Sequence, residues 1–459
     1  MSRQKDLMKN TAILTFGKIC TQCVSFFLLP LYTAILDTYD YGTFDLIITY
    51  CTLLLPIVSG QLDQGIFRFL IECRDDEKKQ INLFSSVFAA EIILSLLYAS
   101  VLGVFSIVGN FKYGIFMMLY VVLHIFMALL MQFARGLGND KIYAMASFIS
   151  ASMTVFFNVI TLVIMEMKLK GLFVANITAQ AATIIYLCVV VKPWNYLKIK
   201  CVNIKTLKSL AKYSVPLIPN ELSWWVVNVS DRTIVSYILG VSVNGIYTVA
   251  NKFSNMFISF YNVFNLSWTE TVALHYYDYD RNDFLSKTME VMFNMFSCAC
   301  FIGVSSMPFI FPIMVDERYS AAYNQIIILF YAMLLRIVVG LYSAIYVAVK
   351  DTKKIAYTSA MAAMVNIIVN LLLIHRMELY AASISSMAAF GAMAIIRVID
   401  IKRKVNIGIS RKIFCLNIAM AITLAATYYI NNTLLNIVMF IVVCIYTIVV
   451  NRNALNYIK

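Results

Sequence analysis

The chain has 459 residues, 61% of them hydrophobic and 13% charged, whereas soluble domains run near half apolar and a quarter charged. That balance excludes a soluble enzyme and predicts an all-α polytopic membrane protein. The formal net charge of +13 does not call for a nucleic-acid partner, because the cations alternate between successive connections as they do in membrane proteins.

Apolar runs of about 20 residues, enough to cross a hydrocarbon core of about 30 Å, predict about fourteen helices. Their cores fall near 10–36, 42–62, 82–108, 114–135, 142–165, 171–191, 213–239, 244–271, 284–314, 321–348, 355–375, 379–401, 412–430 and 434–450. Most of the 37 Lys and Arg fall at the start, after every even-numbered helix and at the end. This pattern predicts that both termini are cytoplasmic.

In the first helix, Thr11, Thr15, Lys18, Gln22 and Ser25 recur at steps of 4, 3, 4 and 3 and so share one face. Cys20 and Cys23 form a CxxC there, but no second ligand pair stands near it. The ten cysteines scatter through apolar segments, as small hydrophobes do. Helix 2 ends toward Asp63 and Arg68; Arg68 sits where it meets an anionic ligand at entry or anchors to headgroups. Glu91 in helix 3 and Arg336 in helix 10 each face a cavity or pair within their own half. The longest basic stretch, 192–212, divides the chain, and no connection is long enough for a soluble catalytic domain. His124, His275 and His375 show no ligand spacing.

Helix 7, LIPNELSWWVVNVSDRTIVSYILG, carries Glu221, Asp231 and Arg232 inside a membrane-length run. Helix 8 adds Asn251, Lys252, Asn255, Ser259, Asn262 and Asn265 at similar spacing. An internal repeat relates these to the first half. At an offset of 203, LYTAILDTYDYGTFDLI from Leu31 aligns with IVSYILGVSVNGIYTVA from Ile234, pairing Ile35 with Ile238, Leu36 with Leu239 and Gly42 with Gly245. The same offset places Glu221 where Lys18 stands. The predicted organisation is two pseudo-symmetric six-helix lobes around a central cavity, 1–191 and 213–404, a basic linker at 192–212, and two further helices in 405–459.

A charge at the middle of a lipid-facing helix costs about 2.5–3.5 kcal/mol, so the stripes of helices 1, 7 and 8 face protein or water. They form either a structural network or the wall of a substrate-bearing cavity; matched stripes on several helices favour the cavity.

Through PNELSWWVVNVSDR, GIYTVANK and NLSWTE, the sequence resembles the Wzx-type polysaccharide flippases of the multidrug/oligosaccharidyl-lipid/polysaccharide exporter superfamily. Pro219, Asn220, Trp224, Asp231, Arg232, Gly245, Tyr247, Ala250, Lys252 and Trp268 carry the resemblance, with Tyr41-Gly42 and Arg68-Phe69 in the first half. The resemblance implies a bacterial inner-membrane protein that moves a polyprenyl-diphosphate-linked oligosaccharide, such as an O-antigen or capsule repeat unit, to the outer leaflet, with helices 13 and 14 outside the lobes. Its partners would be that lipid-linked glycan, membrane lipids, and the polymerase and glycosyltransferases of the same route. Lys18, Arg232, Lys252 and Arg336 suit an anionic diphosphate. Trp224, Trp225, Asn228, Asn255 and Asn262 suit sugar faces and hydroxyls. Glu221 or Asp231 is expected to exchange a coupling H⁺ or Na⁺, no other cofactor being expected. The competing reading of Asp231 is that it neutralises a neighbouring cation.

Two relatives of the same superfamily offer alternatives, a drug or cation antiporter and a lipid II flippase. A membrane-embedded polymerase would need a sizeable outer loop, and an acyltransferase a catalytic histidine in context. A non-transporting scaffold leaves the matched stripes unexplained.

Overall fold

The computed structural model describes residues 26–458 except 350, 404 and 406. Among these there are sixteen α-helices and no strands, as long apolar runs require when backbone groups must be satisfied inside each segment. In chain order they are α1 Leu29–Ile35, α2 Thr38–Val58, α3 Leu62–Leu70, α4 Glu77–Val108, α5 Gly114–Gly136, α6 Asp140–Val159, α7 Lys168–Val191, α8 Ile204–Ser214, α9 Ile218–Ile238, α10 Val241–His275, α11 Arg281–Met314, α12 Tyr323–Ala348, α13 Thr352–Met377, α14 Leu379–Lys402, α15 Arg411–Ile430 and α16 Thr433–Ile458.

Eleven described helices are long and apolar enough to cross a membrane. Of the fourteen expected spans, the three not among them are the first, most of which lies outside the described residues, and α9 and α10. The latter two are helical as expected but carry the polar stripes, with Glu221, Asp231 and Arg232 on α9 and a run of Asn around Lys252 on α10.

Helix 2 differs from its expected form. It runs as α2, breaks at Ser59-Gly60-Gln61, and resumes as α3. Gly60 and Gln61 both take the left-handed region, with φ of 58° and 55°, and the Gln61 N–H turns back onto Ser59 Oγ at 3.1 Å. The Ser59 N–H still closes on the Leu55 carbonyl, and the ladder restarts where the Gln64 and Gly65 N–H groups donate to the Gln61 carbonyl.

Two compact units emerge. The first holds 26–28 and Thr43–Trp225; the second holds Leu29–Gly42 and Val226–Lys459. In the first, Leu62, Ile66, Leu70, Phe84, Val87, Leu129 and Phe133 form a buried core between α3, α4 and α5. The basic segment before α9 is laid along this unit. Asn82 donates to the Cys201 carbonyl at 2.8 Å, Ser85 Oγ to the Tyr196 carbonyl at 3.0 Å, and the Asn203 N–H to Ser86 Oγ at 3.0 Å.

In the second unit α12, α13 and α14 meet in a small-residue core at Val339, Ala362, Ala389 and Met393. α15 and α16 pack on α11. Asn417 donates to Asn294 Oδ1 at 3.0 Å, and the rings of Tyr323 and Tyr428 stack at 4.4 Å. Arg397, placed by its sequence neighbours in a basic connection, is instead buried within α14. Its guanidinium donates to Thr358 and Ser343 and to the Val339 carbonyl.

The repeat offset of 203 has a physical counterpart at the start of α2 and α10. A Cβ added to Gly42 would overlap the Val241 carbonyl, and one added to Gly245 would overlap the Thr38 carbonyl. Thr38 and Val241 are themselves 203 apart. Only two glycines permit helices to approach so closely at that crossing.

Candidate functional site

The site residues expected from sequence divide between the two units. Lys18 lies outside the described residues. In the first unit, Glu221 and Trp224 sit near the start of α9, Glu221 exposed and Trp224 half-buried. Trp225 is half-buried and its Nε1 donates to the Thr49 carbonyl of α2 at 3.2 Å. That bond fixes the indole edge on protein and leaves its face for other contacts. Arg68 lies in the last turn of α3, paired with Glu72 at 2.7 Å on an exposed surface.

In the second unit two groupings stand out. Arg336, near the middle of α12, reaches across to α9, where its Nη1 donates to Asn228 Oδ1 at 2.8 Å; its guanidinium also lies 5.7 Å from the Phe390 ring centroid. A guanidinium has five donors in a rigid fork, so one amide oxygen uses only part of its capacity. Asn255 and Asn262 occupy the same face of α10 as Lys252 and are half-buried, as are Lys252 and Arg232. Tyr261 on that helix donates to Asn265 at 3.0 Å.

The second grouping centres on Asp231, which is buried at 4% exposure. Its Oδ2 accepts from Tyr247 Oη at 2.8 Å and from Ser386 Oγ at 2.7 Å, while Oδ1 has no hydrogen-bond partner among the described residues. Asn366 of α13 joins the group. Its Nδ2 lies 3.5 Å from Ser386 Oγ, and its Oδ1 accepts from Ser230 at 3.3 Å. One turn on, fully buried Asn370 has neither amide atom satisfied among the described residues. A buried carboxylate backed by hydroxyls and amides, with acceptor oxygens left over, is a chemistry that accepts a proton or a small cation. It differs from an ion pair with a neighbouring cation in that Asp231 Oδ2 accepts from two neutral hydroxyls.

Glu221 and Asp231, the two expected coupling residues, stand apart on α9. Ten residues of α9 separate them, about 15 Å along the axis. Ser386, Asn366 and Asn370 were not anticipated. The signal for the last two was present, as Asn at i and i+4 in the otherwise apolar run around NIIVN. Trp268, part of the family-like pattern, is instead a packing residue: buried at 3%, it donates Nε1 to the Leu341 carbonyl at 3.0 Å.

A family model described as polysaccharide biosynthesis protein matches residues 7–268, more than half of the chain. No curated protein matches the chain. Among solved structures, the chain is similar to the lipid II flippase MurJ in an inward closed conformation, at 12% identity and TM-score 0.70, over 98% of this chain and 100% of that one. It is also similar to an inward-facing multidrug resistance MATE family transporter of the MOP superfamily, at 12% identity and TM-score 0.66, over 84% and 94% of the two chains. A point mutant of the Vibrio cholerae MATE transporter VcmN follows at 12% identity and TM-score 0.58, over 88% and 99%. At such identities the likeness is one of fold.

Proposed function

The chain belongs to the polysaccharide biosynthesis protein family, and from that premise we propose that it is a flippase. It would carry a polyprenyl-diphosphate-linked oligosaccharide repeat unit from the inner to the outer leaflet of a bacterial inner membrane, with both termini on the cytoplasmic side. The observation that carries the reading is Arg336. A guanidinium held in mid-helix by one amide and one aromatic ring keeps donors for a ligand, and a diphosphate matches its fork. Arg232 and Lys252 on α9 and α10 add positive charge to the same unit. Asn228, Asn255 and Asn262 offer amides to sugar hydroxyls, and Trp224 and Trp225 offer flat faces. In this reading Lys18 extends the cationic set from the first helix, and Arg68 meets the substrate on entry.

The Asp231 grouping supports ion coupling. H⁺ or Na⁺ taken up at Asp231 would neutralise a buried carboxylate whose Oδ1 has no hydrogen-bond partner among the described residues, and so favour the closed packing of α9, α10, α13 and α14. Glu221, exposed and distant from it, has less support for that role. The natural partners are the lipid-linked glycan and the polymerase and glycosyltransferases that handle it.

Deleting the protein should cause lipid-linked oligosaccharide to accumulate on the cytoplasmic leaflet, with loss of surface polysaccharide, and flippases of matching glycan type should restore both. Unchanged leaflet distribution in the deletion strain would remove the reading.

A further inference from the structure

We propose that Glu91 and Asp63 form a proton-binding pair in the first unit, seated beside the break in helix 2. Glu91 lies in the middle of α4 at 0% exposure, among Val87, Ala90 and Leu94 of the apolar core. Neither of its carboxylate oxygens has a hydrogen-bond partner among the described residues. Asp63 opens α3 directly after the left-handed pair Gly60-Gln61, between Leu62 and Ile66, which pack in the same buried core as Val87 and Ala90 beside Glu91. One oxygen of Asp63 accepts from Gln64 Nε2 at 2.8 Å.

The physics runs from burial to protonation. An unpaired ionised carboxylate in an apolar surround costs far more than the same group carrying a proton, so in this packing Glu91 holds one. The proton leaves when rearrangement at the break admits water or brings Asp63 closer. The O–H bond at Glu91 then breaks and one forms on water or on the Asp63 carboxylate, with no other bond changed.

Every described element packed on α4 bears on that proton. From α3 the facing group is Asp63. From α5, His124 stands at the level of Glu91, bracketed by the Phe88–Phe126 ring contact at 5.5 Å and the Tyr98 hydrogen bond to the Met117 carbonyl at 3.3 Å. From α8 the cations are Lys205, Lys208 and Lys212, all exposed. Lys212 belongs to the end of α8 that packs on α3, where Leu210 and Ser214 abut Gly65, two residues from Asp63; Lys205 and Lys208 flank Thr206, which donates to Asn82, nine residues and about 13 Å from Glu91 along α4. The short turns at 71–73 and 199–201 bring Glu72, Cys73, Lys200 and Cys201 to that same far end.

The proton site stands on the first unit alone; its use as a coupling step in transport rests on the flippase reading. The test is infrared difference spectroscopy of the purified full-length protein, following the carbonyl stretch of protonated carboxyl groups as pH is raised. At neutral pH the wild type should show this band, and Glu91→Gln should lose the intensity of one carboxyl while eluting as a folded, monodisperse protein. Equal intensity in the two proteins overturns the proposal. Asp63→Asn serves if Glu91→Gln does not fold. It should keep the band and move the pH at which the band disappears, and an unmoved pH overturns the pairing. Flipping by Glu91→Gln should in addition lose its pH dependence. The infrared arms decide the proton site even if the deletion strain shows no accumulated lipid-linked glycan, so the two failures are distinguishable.

Discussion

A tryptophan in a membrane helix can serve as a bolt rather than as a binding surface. Trp268 sits in the family-like pattern, yet its indole N–H is used up on the Leu341 carbonyl inside the second unit. Trp268→Phe removes that buried hydrogen bond, at a cost of about 1–3 kcal/mol. The expected outcome is a lower thermal midpoint in detergent with flipping per folded molecule unchanged; lost flipping at an unchanged midpoint would reassign the residue to the substrate. No periodicity reveals this difference, because both roles place the ring on an inward face. Asp231 shows the converse. Its position was legible as a charge in an apolar run, but its partner Ser386 comes from a helix 155 residues further on in sequence, and Asn366, which contacts Ser386, from another far-off helix.

Outside the membrane segments, Asp76 caps α4, accepting from the Lys79 N–H at 3.1 Å and pairing with the Lys79 ammonium at 3.2 Å. The backbone hydrogen bond first, then the side-chain one, holds its carboxyl below the ordinary range. A depressed folded value stabilises above the unfolded value, near 4, and that contribution is lost as pH falls through the folded one. Asp76→Asn should therefore flatten the acid limb of the thermal midpoint between about pH 5 and about pH 2. An unchanged acid limb would show that the cap does not titrate with folding.

At the scale of elements, helix existence was legible and helix interruption was not. Apolar runs announce spans, but SGQLDQG reads equally as the end of one helix or as a break within it. The left-handed pair at Gly60-Gln61 decides for the break. Gly60→Ala meets only the Leu62 side chain at 3.8 Å, so its cost is the left-handed backbone alone, about 1–2 kcal/mol. Gly42→Ala and Gly245→Ala are different in kind, since each drives a methyl into a backbone carbonyl that no side-chain rotation can move aside. Both should abolish stable expression where Gly60→Ala lowers the thermal midpoint by a few degrees. Gly103→Ala, with nothing within 4 Å of the new methyl, should be neutral or stabilising by up to about 1 kcal/mol. Equal yields of Gly42→Ala and Gly103→Ala would show that the crossing of α2 and α10 adjusts, and that the repeat register imposes no such constraint there.

For the whole molecule, both units carry both signs of charge within their described helices: Asp45, Asp63, Glu91 and Glu221 stand with Arg68 and Arg135 in the first, and Arg232, Lys252, Arg336 and Arg397 with Asp231, Glu270, Glu290 and Asp400 in the second. The cations of the second unit bear on the choice between an anionic glycolipid and a cationic drug, which the shared fold leaves open. Arg397 is saturated by hydroxyls and carbonyls, so on the proposed reading anion binding would fall to Arg336 with Arg232 and Lys252. Direct binding to purified protein should then be saturable for a polyprenyl-diphosphate-linked oligosaccharide and weaken about tenfold or more in Arg336→Gln, the scale of one charged hydrogen bond. Arg336→Lys should recover only part of the loss, because an ammonium keeps the charge but not the fork. Binding of cationic dyes should be weaker than that of the glycolipid and insensitive to either substitution. Dyes that bind more tightly than the glycolipid, and that Glu221→Gln weakens, would instead make the surroundings of Glu221 the substrate site and the protein a drug antiporter on the same scaffold.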